Sequence, residues 1–157
     1  MTELDFDSFT IREYPHPALK TICDPVNMDV LSEVVDAGRT LDILLWKLEQ
    51  LKGYGLAAPQ LGITKRIIVC HPPKSELIEL INPEIVRQWG GKFMSDEGCL
   101  SYPGRRVRLM RWRQIKVRGL NRWGEPVAFG GKMLRAAVLQ HELEHLDGIN
   151  LADRDEV

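Results

Sequence analysis

The segment His141-Glu142-Leu143-Glu144-His145 constrains this chain more than any other stretch, because it pairs two histidines four residues apart at the end of a helix-patterned run. Positions four apart on a helix sit roughly 40° apart around the axis, so both imidazoles reach toward one divalent metal ion. A Glu directly after the first His is well placed to take a proton from water held there. Only 4 of 157 residues are His and two fall at this spacing, which favours a metal pair over a surface helix that happens to carry them. Counting back from His141 gives Val138, Ala137 and Leu134, an apolar stripe that predicts a core-facing position for the ligands. Gly148, after Asp147, reads as the helix stop.

Helical spacing does not choose between the two carboxylates. Glu142 lies about 80° to one side of the line between the histidines and Glu144 about 80° to the other. The motif pattern selects Glu142 as the proton acceptor. Glu144 then reads as solvated, Arg-paired, or hydrogen-bonded behind the ligands. A hydrolytic centre usually has three protein ligands and one position for water. The candidate third ligand is Cys99, in Glu97-Gly98-Cys99-Leu100-Ser101, which the flanking Gly90-Gly91 and Pro103-Gly104 mark as an irregular loop or short edge strand. A lone cysteine is more often a small buried hydrophobe, and Cys23 and Cys70 are read that way.

Three segments occur in order: Gly53-Tyr54-Gly55-Leu56-Ala57-Ala58-Pro59-Gln60, Glu97 to Ser101, and His141 to Gly148. Together they resemble the three signature motifs of peptide deformylase. The opening Ile11 to Lys20 and the stretch Ile81-Asn82-Pro83-Glu84-Ile85 resemble that family too, so the likeness covers nearly the whole chain. It implies a hydrolase that removes formyl from the N-terminal formyl-methionine of new polypeptides, with Cys99, His141 and His145 as ligands and Glu142 as general base and acid. It implies Fe(II) as the native ion, replaceable by zinc or nickel. Gln60 and the Leu100 backbone N–H would stabilise the oxyanion. Tyr54, Gly55, Gly98, Arg106, Leu134, Ala137 and Val138 would meet the substrate, whose backbone would pair beside Gly53–Gly55 as an added strand.

The donor set itself suits Fe(II), Zn(II), Co(II) or Ni(II), since thiolate is soft, and it does not choose among them. Two departures from the family pattern stand out. Glu144 occupies a position where Asp is usual, and nine residues follow Gly148, where longer bacterial members continue into a helix associated with ribosome docking. A catalytic domain without that long helix is expected, which puts ribosome association by that route in doubt. The rivals are a zinc endopeptidase and a structural zinc module with all four positions filled by protein. The endopeptidase usually takes a third His or Glu from the helix or just beyond, and none follows His145 at such a spacing apart from Asp147 and Asp153. For the module, no fourth Cys or His lies near the three ligands in sequence.

Composition fits one domain over residues 1–157, with 44% hydrophobic residues and a formal net charge of −1. The charge gives no bias toward nucleic acid. Three cysteines, the acidic N-terminus and the lack of a long apolar run predict a cytoplasmic protein without a membrane partner. Periodicity predicts a helix from Asp29 to about Lys52, ended by Gly53 and Gly55, and short strands over Arg66–Cys70, Leu77–Ile81 and Glu84–Trp89. A hairpin is expected from Gln114–Leu120 and Glu125–Gly130 around Asn121-Arg122-Trp123-Gly124, and the metal helix should begin near Lys132. The arginines between Arg105 and Arg118 read as the solvated face of strands. The expected class is α+β, with antiparallel strands packed around a central helix carrying the His pair.

Overall fold

The computed structural model describes residues 5–155. It is an α+β fold with a five-stranded antiparallel sheet in the order β1 (Gly55–Ala57), β2 (Ile67–Cys70), β3 (Ile78–Cys99), β4 (Tyr102–Leu120), β5 (Pro126–Lys132). Two α-helices, α1 (Leu31–Leu51) and α2 (Leu134–Leu146), complete it. No helix among the described residues is long and apolar enough to cross a membrane.

Strand β2 shows how the layers form. All four of its residues are buried. Ile67 and Val69 pack with Leu41, Leu44 and Leu48 of α1, while Ile68 and Cys70 pack with Leu139, Leu143 and Leu146 of α2. Alternate side chains point to opposite faces, so a strand that is apolar at every position needs a cover on both. The two helices supply it.

Helix α1 ends one residue earlier than its glycines suggest. Lys52 adopts the left-handed conformation (φ 54°), and the Gly53 N–H returns to the Leu48 carbonyl at 3.2 Å. Gly53 serves close approach instead, since a Cβ there would stand 3.2 Å from Leu48 Cδ1 and 3.3 Å from Leu100 Cδ1.

The largest departure from the sequence reading is β3. The expected strands at 77–81 and 84–89 are one element of 22 residues that continues through Gly90 and Gly91 to Cys99. Register shifts between Ile81 and Glu84 and between Trp89 and Lys92 absorb Pro83 and the glycine pair. Bulges hold residues a regular ladder rejects, so these breakers bend the strand without ending it. Cys99 is therefore the last residue of a long paired strand and not part of a loop. It faces Tyr102 across the turn at Leu100-Ser101.

The β4–β5 hairpin forms as expected, and α2 starts at Leu134 because Gly130–Lys132 belong to β5. Helix α2 packs against β1, β2, β4 and β5. It has two buried faces in place of one stripe. Ala136, Leu139, Leu143 and Leu146 enter the core, whereas Ala137, Val138, His141 and Glu142 line a cavity. Leu134 is 47% exposed at the cavity's edge. Gly148 (φ 74°) ends the helix region, and a Cβ there would collide with the Lys20 carbonyl oxygen at 2.8 Å.

Candidate metal centre

The end of β3 and the last turns of α2 bring Cys99, His141 and His145 together, with donor atoms all within 4.8 Å of one another. Among the described residues these three form the cluster able to hold an ion. Cys99 Sγ lies 3.4 Å from His145 Nε2. Donors at 2.0–2.3 Å around one tetrahedral ion stand roughly 3.3–3.6 Å apart, so the Cys99–His145 pair has the spacing of two ligands of one ion. His145 is 1% exposed. Cys99 and His141 border a cavity of about 540 Å³ that supplies the open side.

The imidazole of His141 is oriented from behind. Its Nδ1 is 3.0 Å from Glu97 Oε1, which leaves Nε2 for the centre. Arg111 holds Glu97 through both carboxylate oxygens, Nε to Oε2 at 2.9 Å and Nη2 to Oε1 at 2.8 Å. Burial opposes the charge on Glu97, but the Arg111 and His141 contacts outweigh it and draw the carboxyl down to about 2. Burial likewise opposes a charged His141, and contact with Cys99 and Glu97 overcomes it, so the imidazole is protonated well above its usual range. That proton must leave before Nε2 can bind a cation.

The two carboxylates of the motif have separate environments. Glu144 accepts from Arg111 Nη1 at 2.6 Å and from Arg154 Nη2 at 2.8 Å. It is the Arg-paired residue. Glu142 is 4% exposed and lines the cavity, with Oε1 3.9 Å from His141 Nε2 and Oε2 buried without a partner. Burial pushes its carboxyl up to about 7, against the influence of His141. Gly55 of β1 packs directly on it, since a Cβ there would lie 2.8 Å from Glu142 Cγ and Oε1.

Gln60 is 1% exposed. Its Oε1 accepts from the Ala57 N–H at 2.9 Å, which turns Nε2 toward Ser101 Oγ (3.1 Å) and Cys99 Sγ (3.6 Å). Leu100, Gly98, Tyr54, Gly55, Ala137 and Val138 also line the cavity. Arg106 stands at its rim, where Nε donates to Asp96 Oδ1 at 3.0 Å.

Every expected site residue except His145 thus lines one cavity, and His145 joins through Cys99. The sequence reading missed Ser101 and the orienting role of Glu97, although both lie inside a motif it singled out. It also misassigned Arg111. Five of the six arginines between 105 and 118 are exposed as expected, but the Arg111 side chain is 2% exposed. The two carboxylates open to an endopeptidase site are engaged elsewhere. Asp147 pairs with Arg66 at 3.0 Å, and Asp153 accepts from Tyr14 and from the Asn150 N–H.

The polypeptide deformylase family model matches residues 8–156. The chain belongs to that family. A peptide deformylase of Halothermothrix orenii is 39% identical over 145 residues, covering 92% of this chain and 91% of the relative. That of Natranaerobius thermophilus is 42% identical over 147 residues, covering 93% and 91%. A class I type b peptide deformylase from Acinetobacter baumannii superposes with a TM-score of 0.87 at 31% identity, covering 93% of this chain and 98% of that one. The Thermotoga maritima enzyme gives 0.85 at 32% identity, covering 95% and 98%. Members of the family are metal-dependent enzymes that remove the N-formyl group from new polypeptides.

Removing Arg111 would leave two carboxylates facing each other in a buried space. Arg111→Met is expected to lose about 3–5 kcal/mol of stability, the scale for breaking a buried ion pair. Arg108→Met, at an exposed position of the same strand, should stay within about 0.5 kcal/mol. Urea unfolding compares them, and equal midpoints would refute a stabilising role for the buried pairs.

Proposed function

We propose that this protein hydrolyses the formyl amide at the N-terminal formyl-methionine of nascent chains, using a divalent ion held by Cys99, His141 and His145. The observation that carries the reading is this three-donor cluster opening on a cavity beside the buried, unpaired Glu142. We take Fe(II) as the native ion, and the donor set also accepts Zn(II), Ni(II) or Co(II). A bound ion supplies Lewis-acid polarisation of the formyl carbonyl and a lowered pKa for water.

Glu142 accepts a proton from the attacking water and returns it to the amine nitrogen as the C–N bond breaks, so formate and a free N-terminus leave. A carboxyl raised to about 7 is close to the working range of such a carrier. Negative charge gathers on the formyl oxygen during attack. Gln60 Nε2 would share one hydrogen with it, giving up the long contact to Cys99, and the Leu100 N–H would be the second donor. Ser101 and Ala57 keep the amide in place while this happens.

Strand β1 ends the sheet, and Gly53, Tyr54 and Gly55 border the cavity. An extended peptide can therefore pair along this edge with its first side chain directed at Leu134, Ala137 and Val138. Gly98 and Arg106, on the same lining, would also meet the peptide. An apolar wall of this kind accepts methionine and disfavours a charged side chain.

Metal-loaded protein is expected to release formate from a formyl-Met peptide far faster than acetate from its acetyl counterpart. The formyl carbon bears only hydrogen, so it is less hindered and more electrophilic. Comparable acetate release, or cleavage of an internal peptide bond, would defeat the proposal.

Glu142→Gln should retain metal and lose at least about 100-fold in turnover, within the range for removing a general base. Glu144→Gln should keep most of its turnover. Metal analysis and formate release on both variants decide the assignment, and the reverse pattern would exchange the two roles.

A further inference from the structure

Besides Glu142 Oε2, two buried polar atoms near the centre lack a partner within ordinary hydrogen-bond geometry, and their residues are five apart: His145 Nδ1 and Asn150 Oδ1. Asn150 follows the end of α2 and is 4% exposed. Both atoms are buried and unpaired, and the Asn150 side chain is the hydrogen-bonding group that bears on the His145 ring.

The orientation of the amide is determined by its nitrogen. Asn150 Nδ2 donates to the Leu19 carbonyl at 2.8 Å and to the Gly148 carbonyl at 3.3 Å. A flipped amide would press Oδ1 against two carbonyl oxygens, so Oδ1 has to point the other way. An amide oxygen only accepts, and a buried acceptor needs a donor.

We infer that Asn150 is a positioning residue for His145: its Oδ1 accepts the Nδ1 hydrogen and fixes the tautomer that leaves Nε2 free beside Cys99. The inference rests on the proposed centre of Cys99, His141 and His145. The two imidazoles are then held by unlike partners, His141 by a carboxylate and His145 by a neutral amide. A second carboxylate would add another negative charge beside Glu97 and the sulfur. The amide orients the ring without one.

Zinc affinity of the full chain, measured by chelator competition, tests this. Asn150→Ala is expected to bind zinc about 10–100-fold more weakly, the usual loss when the partner of a ligating histidine goes. Asn150→Asp keeps the Oδ1 acceptor but sets its second oxygen against the Leu19 and Gly148 carbonyls, so it should unfold at lower urea than the unmodified chain yet bind zinc more tightly than Asn150→Ala. Unchanged affinity in Asn150→Ala overturns the inference. Parallel losses in both variants overturn it too, because a simple tether to Leu19 would behave that way. Cys99→Ala, run alongside, reads the centre separately. If it loses zinc while Asn150→Ala does not, only the Asn150 assignment falls; if it binds like the unmodified chain, the centre itself is wrong. Should Asn150→Ala fail to fold, the unmodified zinc-loaded protein still decides by nitrogen-15 NMR. A slowly exchanging hydrogen on His145 Nδ1 is the expected result, and zinc bound to Nδ1 is the contrary one.

Discussion

The buried guanidinium of Arg111 ties the centre to the fold. It sits on the inward face of β4, reaches Glu97 of β3 through two hydrogen bonds, and reaches Glu144 of α2 through a third. Burying a charge in this way is unfavourable unless its hydrogen bonds are met and its charge balanced. Here two carboxylates meet it, and one of them, Glu97, turns its Oε1 toward His141 as well. The register of β3 against β4 is thereby converted into the orientation of an imidazole. Arg154 extends the chain of charges to the surface through Glu144.

Two glutamates of one helical turn consequently have opposite chemistry. Glu144 faces two arginines and is a structural anion. Glu142, two residues earlier, faces the cavity, where burial raises it to about 7. Gly55 allows β1 to lie directly against that carboxylate, so the edge at which a peptide would pair and the proposed proton carrier are in contact. Binding and chemistry would share one wall.

Much of this was readable in the sequence because it is local. The His pair depends on helical spacing alone, and α1, the β4–β5 hairpin and α2 each lie within a few residues of their expected limits. Bringing Cys99 to the pair needed the ordered motifs. Strand β3 was read as fragments because Pro83 and Gly90-Gly91 look like breaks until a partner strand shows them to be bulges. Arg111 could have been found by carrying the alternation of Ile115 and Val117 back in steps of two. That step also lands on Arg113, which is exposed, so the rule separates the two arginines only once Glu97 and Glu144 are in place. Asn150 lies just past the last motif, and its role depends on Leu19, 131 residues away along the chain.

The central claim is the donor set, and X-ray absorption on zinc-loaded protein reads it directly. The account predicts one sulfur at about 2.3 Å with two imidazole nitrogens and one lighter donor at about 2.0–2.1 Å. A shell without sulfur, or one with a second sulfur or a third imidazole, would contradict it.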